Sequence, residues 1–438
     1  MKRIIVAGAG HGGLTAAYNL AKIGYDVTVF EMKEKDELGH DWHDGLDFSA
    51  FDGSGIPRPN EDMYTMGIPQ VFHNPSCTAS VKIPHEGRDG FNMDRKVLIR
   101  YLADCAEKAG AKLRFGIRVL GPVTIGSKVI GIKYSENSEI RTALCDLVID
   151  AAGVHSPVRR NLPQKCGIEN DILPKDIFHV YRVYYKNTTG EILDPPYNIH
   201  LFHENRPGID WFITEDDRVD ILIGKFGIKG KLTPEEVTEG LDAFKKLYPF
   251  MGSDIIRGGA FADIPLRKML SKIVCDGYAA VGDSAGMTIP LNGCGINLAM
   301  IAGKILADAV AEAGENELSE EMLWKYEYNY FMNLGHRLVI IDVLKQFFGV
   351  IRGKNVDFFL EADILTADQL SRGNGKGIKI SKDFILHIVK TCWRVWYLFF
   401  PLVDTFKNVP VLNRVVYSMP ENYNANKVRK WINKYKSL

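Results

Sequence analysis

The chain has 438 residues, and its 54 lysine and arginine residues balance its 54 aspartate and glutamate residues. A formal net charge of zero gives no sign of a nucleic-acid partner. The seven cysteines are scattered without a Cys-x-x-Cys pair, which predicts a reducing, cytoplasmic location and no structural zinc. The length exceeds one ordinary core and predicts two lobes with an extension.

The first predicted element is the apolar strand of residues 4–6, which is too short for a signal peptide and runs into a glycine turn. Gly8 permits the tight turn, Gly10 lets a pyrophosphate approach the backbone, and Gly13 lets helix and strand pack closely. The predicted helix over residues 14–23 then offers free N–H groups and a positive dipole end to a phosphate.

A second strand, residues 25–30, leads to Glu31. A carboxylate at this place can accept hydrogen bonds from the hydroxyl groups of a ribose. Strand, glycine turn, helix and acid occur in the right order, which favours nucleotide binding over a glycine-rich loop of another fold. The turn alone does not distinguish NAD from FAD.

The next elements continue an α/β pattern. Residues 39–59 are rich in Gly, Asp and Pro and are predicted to form a loop. Residues 92–95 precede an amphipathic helix that ends at Gly110. Strands are predicted over residues 111–119 and 145–150.

The spacing of apolar residues then changes. Residues 176–227 alternate apolar and polar side chains, which predicts an antiparallel sheet inserted into the α/β protein. Residues 233–236 form a capping box that starts a helix. The chain returns to the first lobe at residues 277–283, a helix follows over residues 295–313, and the part after residue 314 is predicted to be mostly helical.

Three separated segments agree in order and spacing. The first is the glycine turn with Glu31, and the second covers residues 92–119 and 146–159. The third joins Gly-Asp at residues 282–283 to Pro-x-x-Gly-x-Gly at residues 290–295. This pattern resembles the FAD-dependent oxidoreductases of the geranylgeranyl reductase type, relatives of the aromatic hydroxylases in the glutathione-reductase-like flavoprotein group.

The resemblance implies an α/β fold with a Rossmann-like FAD-binding domain. That domain would be discontinuous, with residues 1–165 and 270–314. Residues 166–269 would form an antiparallel β substrate domain, to which residues 60–90 contribute, and residues 315–438 a helical cap.

Several motif residues suggest how FAD would be held. Asp283 ends a strand and can accept a hydrogen bond from a ribityl hydroxyl. Gly293 and Gly295 leave room for the flat ring, and the helix after them points its positive end at a reduced flavin. The resemblance further implies that Arg95 contacts the cofactor and that the backbone near Val119 holds the adenine. The other residues predicted to bind FAD are Gly8, Gly10, Gly13, Glu31, Gly282, Pro290 and Asn297.

The segment expected to line the substrate pocket matches the geranylgeranyl reductase pattern less closely. Geranylgeranyl reductases have a Tyr-x-Trp-x-Phe-Pro motif lining an apolar cavity, of which only Trp211 is retained. Trp211, Phe212 and Trp42 are the predicted pocket walls, although an ordinary strand aromatic explains Trp211 equally well.

Reduction of a C=C bond needs a hydride from flavin N5 and a proton for the other carbon. His43 or Asp44 could deliver that proton if their loop folds over the ring, whereas a metal site in this Asp- and His-rich loop is not expected. Cys294 is predicted to be the thiol nearest the ring. The alternative for Cys294 is a small buried packing residue.

The sequence therefore predicts an FAD-dependent reductase that saturates a C=C bond of a small lipophilic substrate. It would need an external electron donor such as NAD(P)H, ferredoxin or a reductase. Ala152 stands where aromatic hydroxylases have an aspartate, which weighs against the nearest alternative, an FAD monooxygenase. A hydratase or isomerase with structural FAD and a flavin electron carrier stay open.

Residues 384–403 form the most apolar long segment, but charges and Pro401 interrupt it, so it is predicted not to span a membrane. Aromatic residues with interleaved cations predict interfacial helices that rest on a membrane or cap a lipophilic cavity. These aromatic residues are Trp393, Trp396, Tyr397 and Trp431. Plain helical packing on the core is the alternative. We expect a cytoplasmic protein with peripheral membrane contact.

Overall fold

The structure is a computed structural model that describes residues 1–83, 90–372, 390–391 and 409–438. Its strands are β1 (Arg3–Ala7), β2 (Asp26–Phe30), β3 (His43–Asp47), β4 (Tyr64–Met66), β5 (Gln70–His73), β6 (Ser80–Ile83), β7 (Gly90–Asp94), β8 (Lys112–Arg114), β9 (Arg118–Ile125), β10 (Lys128–Glu136), β11 (Glu139–Leu144), β12 (Leu147–Asp150), β13 (Ile177–Asn187), β14 (Tyr197–Leu201), β15 (Ile209–Thr214), β16 (Arg218–Phe226), β17 (Met251–Pro265), β18 (Val274–Cys275) and β19 (Tyr278–Ala280). Its helices are α1 (His11–Lys22), α2 (Ser49–Ser54), α3 (Arg95–Lys108), α4 (Pro157–Arg160), α5 (Pro234–Leu247), α6 (Ile296–Ala313), α7 (Glu320–Tyr330), α8 (His336–Val350), α9 (Gly353–Glu361), α10 (Ala367–Arg372), α11 (Val409–Val416) and α12 (Ala425–Lys436).

A six-stranded sheet in the order β18-β19-β12-β1-β2-β8 carries the glycine turn. Its strands are parallel except β18, which pairs antiparallel with β19. The apolar run of β1 is buried from Ile4 to Ala7, as expected for a parallel strand covered on both faces. The carboxyl ends of β1, β2 and β12 therefore meet at one edge, where ligands of open α/β sheets bind.

Helices α1 and α6 lie against each other at this sheet. A Cβ atom on Gly303 of α6 would lie 2.4 Å from the carbonyl oxygen of Gly12 in α1. A Cβ atom on Gly12 would in turn lie 2.6 Å from Val281 Cγ2. Only glycine fits at both positions, so the helix of the glycine turn and the helix after Gly295 are held in direct contact.

A seven-stranded sheet in the order β17-β13-β16-β15-β14-β5-β6 forms the second layer. All its pairs are antiparallel except β5 with β14. One face packs its apolar side chains on α5 through Phe212 and Phe244. The other face packs on α8 and α9, where Phe347 and Phe359 contact the cluster around Phe178. Strands β5 and β6 bring residues 70–83 into this sheet.

The segment predicted as a loop over residues 39–59 is partly regular, so that prediction is wrong. Strand β3 pairs antiparallel with β7, placing His43 opposite Asp94 and Asp47 opposite Gly90. Helix α2 follows directly. Strand β3 was not predicted because an Asp- and Gly-rich composition disfavours strands. Pairing with β7, more than forty residues away in the chain, overrides that local preference.

Other local predictions are confirmed. The helix predicted after residues 92–95 is α3, and the side chain of Asp94, to which the sequence assigned no role, caps it by accepting hydrogen bonds from the backbone N–H groups of Lys96 and Val97. The capping box of α5 forms between Thr233 and Glu236, with Pro234 in the first turn. These elements start where short-range side-chain chemistry predicts.

The part after residue 314 is helical in the described ranges. Trp431 is 3% exposed, donates its indole N–H to the Val415 carbonyl at 2.9 Å and packs on Phe331. The prediction of an interfacial role for Trp431 is therefore wrong, because its side chain belongs to the core. Trp393, Trp396 and Tyr397 lie outside the described residues, as does the segment 384–403 apart from residues 390–391. Within the part of the chain that the structure describes, no helix is long and apolar enough to cross a membrane.

Candidate functional site

The glycine turn lies flat against the end of β12. Gly8 has φ +94°, and a Cβ atom there would lie 2.6 Å from the Ala151 carbonyl oxygen. A Cβ atom would lie 3.0 Å from the same oxygen at Gly10 and 2.5 Å from Ala151 Cβ at Gly13. Side chains at these places would push the turn away from the sheet. The backbone N–H groups at the start of α1 are thereby kept at the surface where a pyrophosphate can approach.

Glu31 is fixed beside this turn. Its carboxylate accepts hydrogen bonds from the backbone N–H of Ala9 at 2.8 Å and of Lys33 at 2.9 Å. The backbone of Glu31 accepts a hydrogen bond from the N–H of Ile117 at 2.8 Å. Val119, two residues on, is 8% exposed and lies at the start of β9. The structure thus brings Glu31 and the Val119 segment to the same edge.

Asp283 lies in a short turn after β19. Gly282 opens this turn with φ +68°. Burial raises the pKa of Asp283 to about 6, and the nearby charges of Arg95 and Arg159 oppose that rise. Asp283 is therefore a recessed acid that lies between two cations at the edge where the glycine turn ends.

Two residues to which the sequence assigned no role hold this turn. The fully buried carboxylate of Asp150 accepts hydrogen bonds from Ala152, Ser156, Arg159, Tyr278 and Ser284. The buried guanidinium of Arg159 donates to the carbonyl oxygens of Val154 at 2.5 Å and Ser284 at 2.8 Å. The only sequence signal for this arrangement was the position of Asp150, an acid at the end of a predicted buried strand.

The turn of residues 290–295 approaches the second sheet. Pro290 is buried, and Gly293 has φ +75°. A Cβ atom on Gly293 would lie 3.2 Å from Ile264 Cγ2 in β17. Gly295 precedes α6, whose first turn contains Asn297. A flat ring at this turn would lie between the N-terminus of α6 and the second sheet.

Four charged side chains, which we call the charged bridge, join β3 and α3 to the second sheet. Arg95 forms an ion pair with Asp44, and Asp44 lies 3.7 Å from Arg182. Arg182 donates from Nε to Asp220 at 2.9 Å. The side chains of Arg182 and Asp220 are 6% and 2% exposed. Burial opposes the charge of Arg182, but the carboxylates raise its pKa above the usual range. Two positive and two negative charges leave the bridge neutral.

Aromatic rings surround this bridge. The guanidinium of Arg182 lies 5.0 Å from the ring centre of Trp211 and 5.7 Å from those of Trp42 and Tyr184. Such cation–π contacts stabilise a desolvated guanidinium by about 2 kcal/mol. The indole N–H of Trp211 is buried and has no hydrogen-bond partner among the described residues.

The two predicted proton donors of β3 point to opposite faces. Asp44 lies in the charged bridge. His43 is surrounded instead by the charges of Arg257, Glu215, Arg218 and Asp94, and burial lowers its pKa. Its backbone N–H donates to the Tyr184 hydroxyl at 2.9 Å. The His43 ring meets the Tyr184 ring at 6.2 Å, whereas Asp44, the next residue of the strand, pairs with Arg95, so the two side chains have different surroundings.

The same alternation corrects the predicted pocket. Phe212 is fully buried on the α5 face, stacked on Tyr248 at 4.2 Å, so it does not line the side on which Trp211 lies. Trp42 is 4% exposed and is covered by His40, whose ring stacks on it at 4.2 Å. Of the three predicted pocket residues, only Trp211 lies on the open side. In the described ranges no cluster of His, Cys, Asp and Glu could hold a metal ion.

Cys294 is exposed within the cleft, in contrast to the buried packing residue that was the alternative. Its thiol senses the charges of Asp44 and Arg95, and enclosure by the surrounding protein raises its pKa to about 11. At neutral pH Cys294 is therefore a neutral thiol beside the charged bridge.

These residues fit FAD. The glycine turn leaves a space for the cofactor that a Cβ atom would fill. Glu31 is held beside this turn by hydrogen bonds, and Asp283 lies recessed at the same edge of the sheet. The family model described as FAD binding domain matches residues 1–329. The chain therefore belongs to this family of FAD-binding flavoproteins.

Similar proteins narrow the class further. A digeranylgeranylglycerophospholipid reductase of Sulfolobus acidocaldarius is 23% identical over 386 residues, which are 85% of this chain and 83% of the relative. One from Methanocaldococcus jannaschii is 29% identical over 344 residues, 75% of this chain and 84% of the relative. A geranylgeranyl bacteriochlorophyll reductase-like protein of Thermoplasma acidophilum has a similar solved structure, with a TM-score of 0.75 at 23% identity over 94% of this chain and 99% of that chain. The protein is an FAD-dependent oxidoreductase of the geranylgeranyl reductase type.

Asp283 gives a testable pH dependence. Because its pKa in the folded protein, about 6, exceeds the ordinary 3.8, the folded chain binds the proton more tightly than the unfolded chain. Its contribution to the free energy of unfolding therefore falls as pH rises from 3.8 to about 6. We expect Asp283→Asn to stabilise the FAD-free protein at pH 8 by about 1–2 kcal/mol, after discounting for partial exposure.

The measurement is urea unfolding of the FAD-free variant and wild-type proteins at pH 5 and pH 8. The stability difference should widen toward pH 8, while FAD binds the variant about tenfold more weakly because a charged acceptor is lost. An equal difference at both pH values would show that Asp283 does not titrate in this range.

Proposed function

We propose that this protein saturates a C=C bond in a lipophilic substrate of the isoprenoid kind, with FAD bound in the manner of the glutathione-reductase-like flavoproteins. The observation that carries the proposal is the apolar face of the second sheet opposite Gly293. Helices α8 and α9 cover part of this face, and the side chains that stay partly exposed on it include Phe72, Tyr197, Ile209, Trp211 and Ile264. A hydrocarbon chain placed there would replace water against apolar surface.

The charged bridge supports the same proposal. Its two guanidinium groups are already paired with Asp44 and Asp220, so neither is left to bind an anionic group of a substrate. A buried network whose charges cancel favours an uncharged reacting group beside it. The relatives named as digeranylgeranylglycerophospholipid reductases act, by their names, on lipids with long unsaturated chains.

We assign the residues of the chain the following roles. When bound and reduced, FAD supplies a hydride to an alkene carbon. Arg95 and Asp283 would hold and orient the cofactor, and Glu31 the ribose. The N-terminus of α6 would favour the negative charge of the reduced ring. Asp44 and Cys294 are the sequence-predicted residues that remain in position to deliver a proton, with Cys294 neutral at physiological pH.

The electrons would come from an external donor such as NAD(P)H, ferredoxin or a reductase. Ala152 supports a donor that does not bind beside the flavin in the manner of aromatic hydroxylases. The main alternative for the reaction is an FAD monooxygenase, and a hydratase, an isomerase or an electron carrier are further alternatives.

Anaerobic stopped-flow absorbance of the dithionite-reduced protein tests the reaction class. We expect mixing with unsaturated isoprenoid lipids to restore the oxidised flavin spectrum, because a C=C bond of this class is the proposed hydride acceptor. Saturated lipids of equal length are the matched control and should leave the flavin reduced. Reoxidation by air alone, with a flavin C4a adduct, would identify a monooxygenase.

We also propose a peripheral contact with anionic membranes. The described C-terminal residues 409–438 expose six cations and a single glutamate side chain, Glu421. The cations are Arg414, Lys427, Arg429, Lys430, Lys434 and Lys436. Val411 and Tyr417 are 53% and 63% exposed on the same segment. Each lysine or arginine near an anionic bilayer contributes about 1 kcal/mol of attraction.

Vesicle sedimentation tests this contact. We expect the protein to bind phosphatidylglycerol vesicles and to lose most of that binding in the variant Lys427→Glu/Lys430→Glu/Lys434→Glu, because three attractive charges become repulsive. The control Lys165→Glu/Lys175→Glu/Lys246→Glu makes the same charge change at exposed lysines elsewhere. Equal loss in both variants would show a nonspecific charge effect and contradict the proposed surface.

A further inference from the structure

Tyr197 has a hydroxyl group for which neither the fold nor the FAD site provides a use. It lies on β14, where the register places Tyr197 opposite Ile213 and Ile199 opposite Trp211. Tyr197 and Trp211 are therefore neighbours on the same face, and their rings meet edge to face at 5.9 Å. This is the apolar face that lies opposite Gly293.

The surroundings of the hydroxyl are those of the charged bridge. The Tyr197 ring meets Trp211, whose ring centre lies 5.0 Å from the Arg182 guanidinium, and the charges of Arg182, Asp220 and Asp44 act on the hydroxyl. Burial raises the pKa of Tyr197 above its usual range, so the group is a neutral phenol at physiological pH.

No residue in the described ranges accepts or donates a hydrogen bond at the Tyr197 hydroxyl. Three fully buried tyrosines use theirs: Tyr184 accepts from the His43 backbone, Tyr278 donates to Asp150, and Tyr326 donates to the Ala280 carbonyl. The hydroxyl of Tyr330, buried in the core away from this face, has no partner among the described residues. Tyr197 is only partly buried, on an apolar face, so a hydroxyl there that makes no hydrogen bond to the described residues is available to a ligand or substrate.

The competing proton donors of the site are less suitable. Asp44 forms an ion pair with Arg95 and lies 3.7 Å from Arg182, so its carboxylate already has two guanidinium partners. His43 lies on the other face of β3. Cys294 is the remaining competitor, since its thiol is neutral and open to the cleft.

We propose that Tyr197 is the proton donor for reduction of the C=C bond. This inference rests on the proposed reductase function. One alkene carbon forms a C–H bond with the hydride that the reduced flavin supplies. As the O–H bond of Tyr197 breaks, its proton forms the second C–H bond at the other carbon, and the electron pair of the O–H bond stays on the phenolate.

Arg182 has a defined part in this step. Its guanidinium favours the negative charge that the phenolate carries after proton transfer. A proton from solvent then restores the phenol. Because Arg182 acts through Tyr197, it is a positioning residue, whereas Tyr197 itself contacts the reacting carbon.

The test is Tyr197→Phe, which keeps the ring packed on Trp211 and removes the hydroxyl. We expect substrate-dependent reoxidation of the reduced flavin to slow about 100-fold, the usual contribution of a positioned general acid. Reoxidation by ferricyanide, which needs no proton at carbon, should keep its wild-type rate. Tyr185→Phe is the matched control, because Tyr185 lies on the same sheet but packs on the α5 side.

A second readout does not depend on activity. In FAD-free protein labelled with ζ-¹³C-tyrosine, the resonance missing from Tyr197→Phe identifies this phenol, which should stay protonated above pH 10. Ionisation near neutral pH would overturn the proposal, because the group would hold no proton to donate.

The remaining outcomes separate the two proposals. Wild-type rates in Tyr197→Phe together with a slow Cys294→Ser variant would overturn the role of Tyr197, assign it to the thiol and leave the reductase function standing. If no unsaturated lipid reoxidises the wild-type flavin, the reductase function itself fails, and with it the role of Tyr197.

Discussion

The buried pairing of Arg182 with Asp220, extended through Asp44 to Arg95, is the constraint on which the site depends. Isolated charges at these places would cost several kcal/mol each, so the four groups must stay within ion-pair distance of one another. Asp44 comes from β3, Arg95 from α3, and the other two from the second sheet. The bridge therefore fixes the position of the second sheet relative to the first at the place where the flavin ring would lie.

Buried charged groups also fix the backbone on the FAD-binding side of the cleft. Asp150 ends β12 inside the protein, and its five hydrogen bonds gather the Ser284 turn, the start of α4 and Tyr278. Arg159 then fixes the backbone of Ser284, next to Asp283. Ion pairs and buried hydrogen bonds thus position both sides of the cleft, while aromatic and aliphatic side chains line the face of the second sheet. This combination suits chemistry that must exclude water but needs one proton.

Much of the FAD side could be predicted from the sequence, because its signals are local. The glycine turn, the start of α3 and the Gly-Asp turn each depend on residues a few positions apart, as does the capping box of α5 beside the second sheet. The arrangement of side chains on the substrate side could not be predicted from the sequence. The roles of Asp44 and His43 are decided by pairing of β3 with β7, and Trp211 and Phe212 are separated by the strand register. Tyr197 and Arg182 carried no motif, since only the tertiary fold brings Arg182 to Asp44 and Tyr197 to Trp211.

The central claim is that a C=C bond accepts a hydride and a proton in the cleft between the two sheets. Mass spectrometry of the product after one anaerobic turnover in D₂O, using protein reduced beforehand and an unsaturated isoprenoid lipid, tests it most directly. We expect a saturated product with deuterium on both former alkene carbons, because the flavin N5 hydrogen and the phenol proton both exchange with solvent. Recovery of unchanged lipid without oxygen, and of an oxygenated product when air is admitted, would rule out reduction of the C=C bond.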